Sequence, residues 1–325
     1  MNQKLLPLLQ TPLKAVWNVA GNLTDTCYWP SSNTGKKIVL MLIPGNPGMV
    51  DYYDNFCEVI HKNLADNSDL SLEIIAGEYL ASLSLDHVLR IMTKLKLGLV
   101  SHLGHSNRTS NPTNRLYSLQ EQIQHKIDCF DTVRKQCDSD TKFVLIGHSV
   151  GSFICTEVLK ARPKQNIVRL IALFPTLQHI AKTPNGVALS PFFPAIPRNI
   201  ISCSVSLISW MPPFVRKTLV GAITKQPDPS LSVTADQLLN RTVVNNALYM
   251  AGQEMATIQA LDYDFYNAHV DKFIIYFSPG DNWAPKHHYD DMKNSFPHAD
   301  ISLCEENLPH AFVLEHKHAA SMGSK

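Results

Sequence analysis

Charge is scarce in this sequence. Asp, Glu, Lys and Arg make up 18% of 325 residues, where about 25% is ordinary for a soluble domain. With hydrophobic residues at 45%, little polar surface is left to hold the chain in water, and contact with lipid or membrane is expected. The formal net charge is only +1 and there is no long basic run, so electrostatics gives no reason to expect a nucleic-acid partner. Seven cysteines are scattered with no CxxC pair among them, which argues against a disulfide framework or a zinc site and fits a reducing compartment. The first 22 residues lack the continuous apolar core of a signal peptide, being broken by Lys4, Pro7, Pro12 and Lys14, so secretion is not expected. No internal repeat or low-complexity segment is present. The length allows one large α/β domain or two small ones.

What is present is a series of short apolar runs alternating with helical spacing. Lys37 to Ile43 reads as a buried strand that stops at Pro44-Gly45-Asn46-Pro47-Gly48, a tight loop. Leu72 to Ala76 reads as a second strand. Leu116 to Val133 carries Leu119, Ile123, Ile127 and Phe130 at helical spacing. Lys142 to Ile146 is another buried strand, and it runs into Gly147-His148-Ser149-Val150-Gly151. Ser152 to Arg162 follows as a helix ended by Pro163. Val168 to Leu173, Lys272 to Phe277 and Asp300 to Cys304 complete the strands. This is the pattern of an α/β protein with a mostly parallel sheet covered by helices on both faces.

Between Phe174 and Lys272 the alternation lapses. Thr183 to Pro197 and Asn199 to Val215 carry no charge, with Arg198 alone between them. Each half is too short and too broken by proline to be read as a transmembrane span. Two readings stand: an interfacial or hairpin insertion into a membrane, and a hydrophobic cap over an active site. The organisation expected is a core in two parts, 36–176 and 269–316, with the cap or membrane-associating segment, 177–268, between them.

A GxSxG match alone is weak, since chance supplies about one per ten chains of this length. Here it follows a strand and precedes a helix, the context of a nucleophile elbow and hence of an α/β-hydrolase fold. The glycines relieve crowding around a strained Ser149, and the Val150 N–H points to where an oxyanion develops. A serine hydroxyl needs a base, and the base needs an acid to orient it, in the chain order Ser, acid, His. Among the downstream histidines, His310 sits in a loop just after the last expected strand. Asp281 lies at the carboxyl end of the strand Lys272 to Phe277, leaving room for one helix and one strand before His310. Asp262, Asp264, Asp290, Asp291 and Asp300 read as solvated helix or loop charges. The second oxyanion donor is expected in the 44–48 loop. Pro47 has no N–H, so the choice falls on the backbone N–H of Asn46. His102 and His105 lack a carboxylate or cysteine cluster beside them and are read as structural or pocket-lining; no metal and no cofactor are expected.

Beyond the elbow, a set of segments resembles the lipid droplet-associated hydrolases of eukaryotes. They are Ile43 to Gly48, Ser101-His102 with Gly104-His105, Gln122-Ile123 with His125-Lys126, Leu145 to Ser152, Phe174-Pro175-Thr176, Pro184-Asn185-Gly186, Gly252-Gln253-Glu254-Met255, Asp281 with Trp283 and Pro285, and Pro309 to Phe312. They occur in family order from residue 38 to 313, and the family's nucleophile, acid and histidine fall on Ser149, Asp281 and His310. The resemblance implies a hydrolase of lipid esters, with sterol esters the usual suggestion, on the cytosolic face of lipid droplets and the endoplasmic reticulum. It also ties the central hydrophobic segment, Thr183 to Val215, to droplet targeting. Acyl transfer by the same acyl-enzyme is an alternative, as is a droplet-surface protein with weak or vestigial hydrolase activity. Relative to the family pattern, residues 77–99 look like an insertion, and the end after His310 looks short.

Overall fold

The computed structural model describes residues 12–29, 36–65, 70–74, 99–106, 108–109 and 115–325. All but the last residue of the stretch 77–99, read above as an insertion, lies outside the described residues. The first described element is a hairpin, β1 (Leu13–Val19) and β2 (Asn22–Tyr28). Ala20 and Gly21 turn it with φ of 49° and 84°, and positive φ at both central residues suits a two-residue hairpin loop. There follow β3 (Lys36–Ile43), α1 (Asp54–Ala65), β4 (Leu70–Ile74), β5 (Leu99–Val100), α2 (Leu119–Lys135), β6 (Lys142–His148), α3 (Val150–Ala161) and β7 (Ile167–Leu173). A run of helices comes next: α4 (Pro184–Leu189), α5 (Ala195–Ser209), α6 (Pro213–Thr224), α7 (Ser230–Val233), α8 (Arg241–Thr257) and α9 (Tyr263–Ala268). The chain then returns to the sheet with β8 (Phe273–Phe277), α10 (Lys286–Ser295), β9 (Asp300–Leu303) and α11 (His316–Gly323).

The strands lie in the order β1-β2-β5-β3-β6-β7-β8-β9, with β4 also paired to β3. Among the described residues, only the β1–β2 and β2–β5 pairs are antiparallel. From β3 to β9 every pairing is parallel, and such strands need cover on both faces because their crossovers are helical. Side chains alternate accordingly. Phe143 and Phe130 of α2 meet with ring centroids 5.0 Å apart on one face, while Ile38, Leu40, Val144 and Ile146 look toward α1 and α11 on the other. The hairpin leaves no periodic signal in the sequence, for a physical reason. Thr24, Asp25 and Thr26 of β2 are all buried, and the first two find partners outside the hairpin: Thr24 Oγ1 bonds His125 Nε2 at 2.8 Å and Arg108 pairs with Asp25, while Thr26 Oγ1 donates to Ala15 O of β1.

Strand order fixes where a site can form. β3 has β4 and β5 on one side and β6 and then β7 on the other, so the connection leaving β3 for β4 and the one leaving β6 for β7 run in opposite directions. The carboxyl ends of β3 and β6 therefore border the crevice that open α/β sheets use for ligands. The 44–48 loop and Ser149 both leave the sheet there.

The central segment is helical. Pro194 precedes the first turn of α5 and Pro197 lies within it, where N–H groups have no intrahelical acceptor and proline costs little. Among the described residues, no helix is long and apolar enough to cross a membrane.

Candidate active site

β6 ends at His148 and α3 begins at Val150, so Ser149 alone makes the turn. Its φ and ψ are 55° and −126°, a conformation that costs a side-chain-bearing residue about 1–3 kcal/mol. The flanking glycines permit it. A Cβ on Gly147 would lie 2.4 Å from the Ser152 backbone, and one on Gly151 would lie 2.2 Å from Ile43 O and 2.6 Å from Pro44 O. Gly151→Ala is thus expected to push α3 off β3, destabilise the fold by about 1–3 kcal/mol and displace the Val150 N–H. Urea unfolding and turnover would both fall; an unchanged unfolding midpoint would contradict this packing argument.

The structure brings the Ser149, His310 and Asp281 side chains into one hydrogen-bonded row. Ser149 Oγ lies 2.9 Å from His310 Nε2, and His310 Nδ1 lies 2.6 Å from Asp281 Oδ2. The other Asp281 oxygen accepts from the N–H groups of Trp283 and Ala284 at 2.7 and 3.0 Å. Burial works to raise the Asp281 carboxyl, but His310 and these N–H groups outweigh it and hold it below the ordinary carboxylate range,. It therefore stays an acceptor, so the proton of the His310–Asp281 bond sits on Nδ1 and leaves Nε2 free to take one from Ser149. The loops carrying acid and histidine are stapled together: Ser278 Oγ donates to Leu308 O at 2.6 Å, and Gly280 N donates to Asn307 Oδ1 at 2.7 Å. The rejected carboxylates have other partners. Asp262 caps α9 and pairs with Lys160, Asp290 pairs with Lys286, and Asp291 accepts from Gln178 and Tyr263; Asp264 and Asp300 are exposed.

The 44–48 loop crosses directly over the serine, since a Cβ on Gly45 would lie 3.1 Å from Ser149 Cβ. Asn46 and Ser149 line the same cavity of about 140 Å³, with Tyr52, Gln226, Leu238 and His310 among the other walls. Val150 is the first residue of α3, whose amino end is suited to negative charge. A larger cavity of about 670 Å³ lies on the far face of the sheet between α1 and α11. It holds none of the row's residues, so the smaller one is the candidate site.

Three side chains that the sequence reading left without a role pin this loop. Gly45 N donates to Tyr53 Oη at 2.8 Å, Tyr53 Oη lies 2.6 Å from His148 Nδ1, and His148 Nε2 lies 2.8 Å from His310 O. A carbonyl only accepts, so His148 Nε2 carries the proton and Nδ1 accepts from Tyr53. Burial, with His310 beside it, pushes His148 down to about 3, so it is neutral. This chain ties the loop over the serine to the loop of the histidine. Glu254 accepts from the Asn46 side chain. His105, one of the two histidines read as structural or pocket-lining, accepts from Gly48 N at 2.8 Å, and burial pushes it down to about 3. His102 packs where a Gly48 Cβ would stand, 2.2 Å from its Cδ2.

The sequence model of the lipid-droplet associated hydrolase family matches residues 36–313. The chain belongs to this family. Among relatives of the same name, the family member from Gallus gallus is 30% identical over 292 residues, covering 86% of this chain and 81% of the relative. That from Homo sapiens is 28% identical over 290 residues, covering 85% and 80%. Solved structures similar to this hydrolase include a deformylase of N-formylmaleamic acid from Pseudomonas putida, with TM-score 0.59, 13% identity, and 96% and 100% of the two chains covered. An epoxide hydrolase from Vigna radiata gives 0.56 at 9% identity, covering 96% and 98%. At such identities the likeness speaks for the fold alone, which is the α/β-hydrolase fold. The family segments around His105, Glu254 and Gly48 coincide with the pins of the loop, so the signal for them was in the sequence, but only the fold gives it a meaning.

Proposed function

We propose that this protein is a serine hydrolase of lipid esters that acts at a lipid-droplet surface. The observation that carries the reading is the row Ser149, His310, Asp281, with 2.9 and 2.6 Å between successive partners, at the wall of a cavity. Ser149 Oγ attacks the acyl carbonyl while His310 Nε2 takes its proton. Asp281 orients the imidazole and stabilises it once charged. The N–H groups of Asn46 and Val150 hold the oxyanion. His310 then gives the proton to the leaving alcohol, and water, activated by the same histidine, releases the acid from the acyl-enzyme. Sterol esters are the substrates suggested by the family resemblance, and the endoplasmic reticulum a second location.

The lipid surface is supported by a helix built inside out. The inner face of α5 carries Arg198 and Ser202, both buried. Arg198 Nε donates to Asn245 Oδ1 of α8 at 2.8 Å. The outer face carries Ile196, Ile200 and Leu207, and the exposed row continues through Trp210 and Phe214, which are 83% and 71% exposed. An apolar row of this kind marks a contact surface, and the occupant matched to it here is a lipid layer. The cavity is also small for a whole lipid ester, since drug-sized ligands fill about 300–1,000 Å³. It admits the ester group and part of a chain, while the rest of the molecule stays in the layer against which α5 and α6 lie.

A panel of sterol, glycerol and short-chain esters, with wild type and Ser149→Ala, tests the chemistry, together with labelling by a fluorophosphonate. Wild type that is neither labelled nor active on any ester would sink the reading. For the surface, Trp210→Glu combined with Phe214→Glu is expected to weaken binding to phospholipid-coated oil droplets at least tenfold. Each side chain is worth about 1.5–3 kcal/mol on burial, and about 1.4 kcal/mol is a factor of ten. Turnover of a soluble short-chain ester should be unchanged. Droplet flotation measures the first, and undiminished flotation of the double variant would count against the docking face.

A further inference from the structure

The Asn46 side chain spends both its amide hydrogens on one helix. Nδ2 donates to Ala247 O and to Glu254 Oε1, each at 2.9 Å. Ala247 and Glu254 lie two turns apart on one face of α8, so the contact fixes the direction of the side chain and not only its position. We propose that Glu254 is the positioning residue of the 44–48 loop, setting through the Asn46 side chain where the Asn46 N–H points. This rests on the hydrolase reading given above.

Glu254 does this as an uncharged acid. It is 4% exposed, and burial pushes its carboxyl up to about 8 although the Asn46 bond works the other way,. The elements packed on α8 bring it no cation among the described residues. Arg198 of α5 is engaged by Asn245 and Phe193 O, and Lys126 of α2 by Ser101 O and His125. Lys182, before α4, is exposed, and Asp236, after α7, pairs with Arg216. Burial pushes His102, His105 and His125 down, so they too are neutral. Asn46 Oδ1 is buried and has no partner. An ionised Glu254 would add a further acceptor there, whereas the acid carries a hydroxyl donor.

The sign of the pH effect follows. Between the ordinary carboxyl value of 4.5 and about 8, the folded state holds a proton that the unfolded state has lost. Stability therefore declines as pH rises through this window, and above it the buried charge has no counter-ion and the loop loses its anchor.

The experiment is turnover of a soluble short-chain ester between pH 6 and 9.5 by wild type, Glu254→Gln and Glu254→Ala. Glu254→Ala is expected to lower kcat at pH 7 at least tenfold with little change in KM, since loss of an oxyanion donor costs about 10²–10³. Glu254→Gln keeps the neutral acceptor, so kcat at pH 7 should stay within about threefold of wild type, on the same scale. It should also lack the fall in kcat that is expected of wild type as pH passes about 8. A Gln variant as poor as Ala, a Gln variant that keeps the alkaline fall, or an Ala variant with wild-type kcat would each overturn the proposal. Should the Ala variant not fold, the Gln pH profile decides alone. Active, labelled wild type with indifferent Glu254 variants defeats only this inference; unlabelled, inactive wild type defeats the hydrolase reading itself.

Discussion

Ser149→Ala is expected to lower kcat on a lipid ester by about 10⁶-fold, the scale on which loss of a serine nucleophile collapses a triad enzyme to residual binding effects. The variant removes one oxygen, the atom 2.9 Å from His310 Nε2. Alanine tolerates φ of 55° no worse than serine, because each carries one Cβ with the same clashes. The fold should therefore be kept, with its unfolding midpoint within about 1 kcal/mol of wild type, the net worth of one hydrogen bond. Asn46, Val150 and the cavity walls stay in place, so KM should change little. Fluorophosphonate labelling must vanish with turnover. A variant holding more than about 1% of wild-type activity, roughly 3 kcal/mol or less of lost transition-state stabilisation, would remove Ser149 from the mechanism.

How far the sequence could be read depended on how local each cause was. Strands β3 and β6 and helix α3 were legible because buried parallel strands are continuous apolar runs, and because Gly147 and Gly151 announce a crowded turn. Asp281 and His310 were legible from their places after β8 and β9. The β1–β2 hairpin was not, since the middle of β2 buries polar residues, Thr24 and Asp25 among them, that are satisfied by His125, Arg108 and Ser106, residues that the chain brings back from about position 100 onward. Glu254 and Asn46 stand 208 residues apart, and no spacing rule connects them. The central segment was legible as nearly uncharged but not as inside out: a helix with apolar residues outward and its one charge, Arg198, inward has the same composition as one packed the usual way, and only the α8 surface that receives Arg198 distinguishes them.

Asp281→Asn carries the second-largest expected effect, a fall in kcat of about 10⁴-fold with the fold retained. Two acceptors at this position have fixed donors: Trp283 N and Ala284 N hold Oδ1, and His310 Nδ1 holds Oδ2. An asparagine keeps the two backbone bonds by placing its oxygen on the Oδ1 side, which turns its NH₂ toward His310 Nδ1. That ring nitrogen must then accept, so the proton moves to Nε2, the atom facing Ser149 Oγ, where it blocks the uptake of the serine proton. The rate of fluorophosphonate labelling should fall by the same factor as kcat, because both need an activated Ser149. Stability supplies an independent check. The folded Asp281 carboxyl is held below its ordinary value of 3.8, so its contribution is complete above that value and is lost as pH falls through the folded one. The difference in unfolding midpoint between wild type and Asp281→Asn should be present at neutral pH and shrink below 3.8. An asparagine variant within tenfold of wild-type kcat would show that His310 finds its tautomer without Asp281 and would remove the acid from the row.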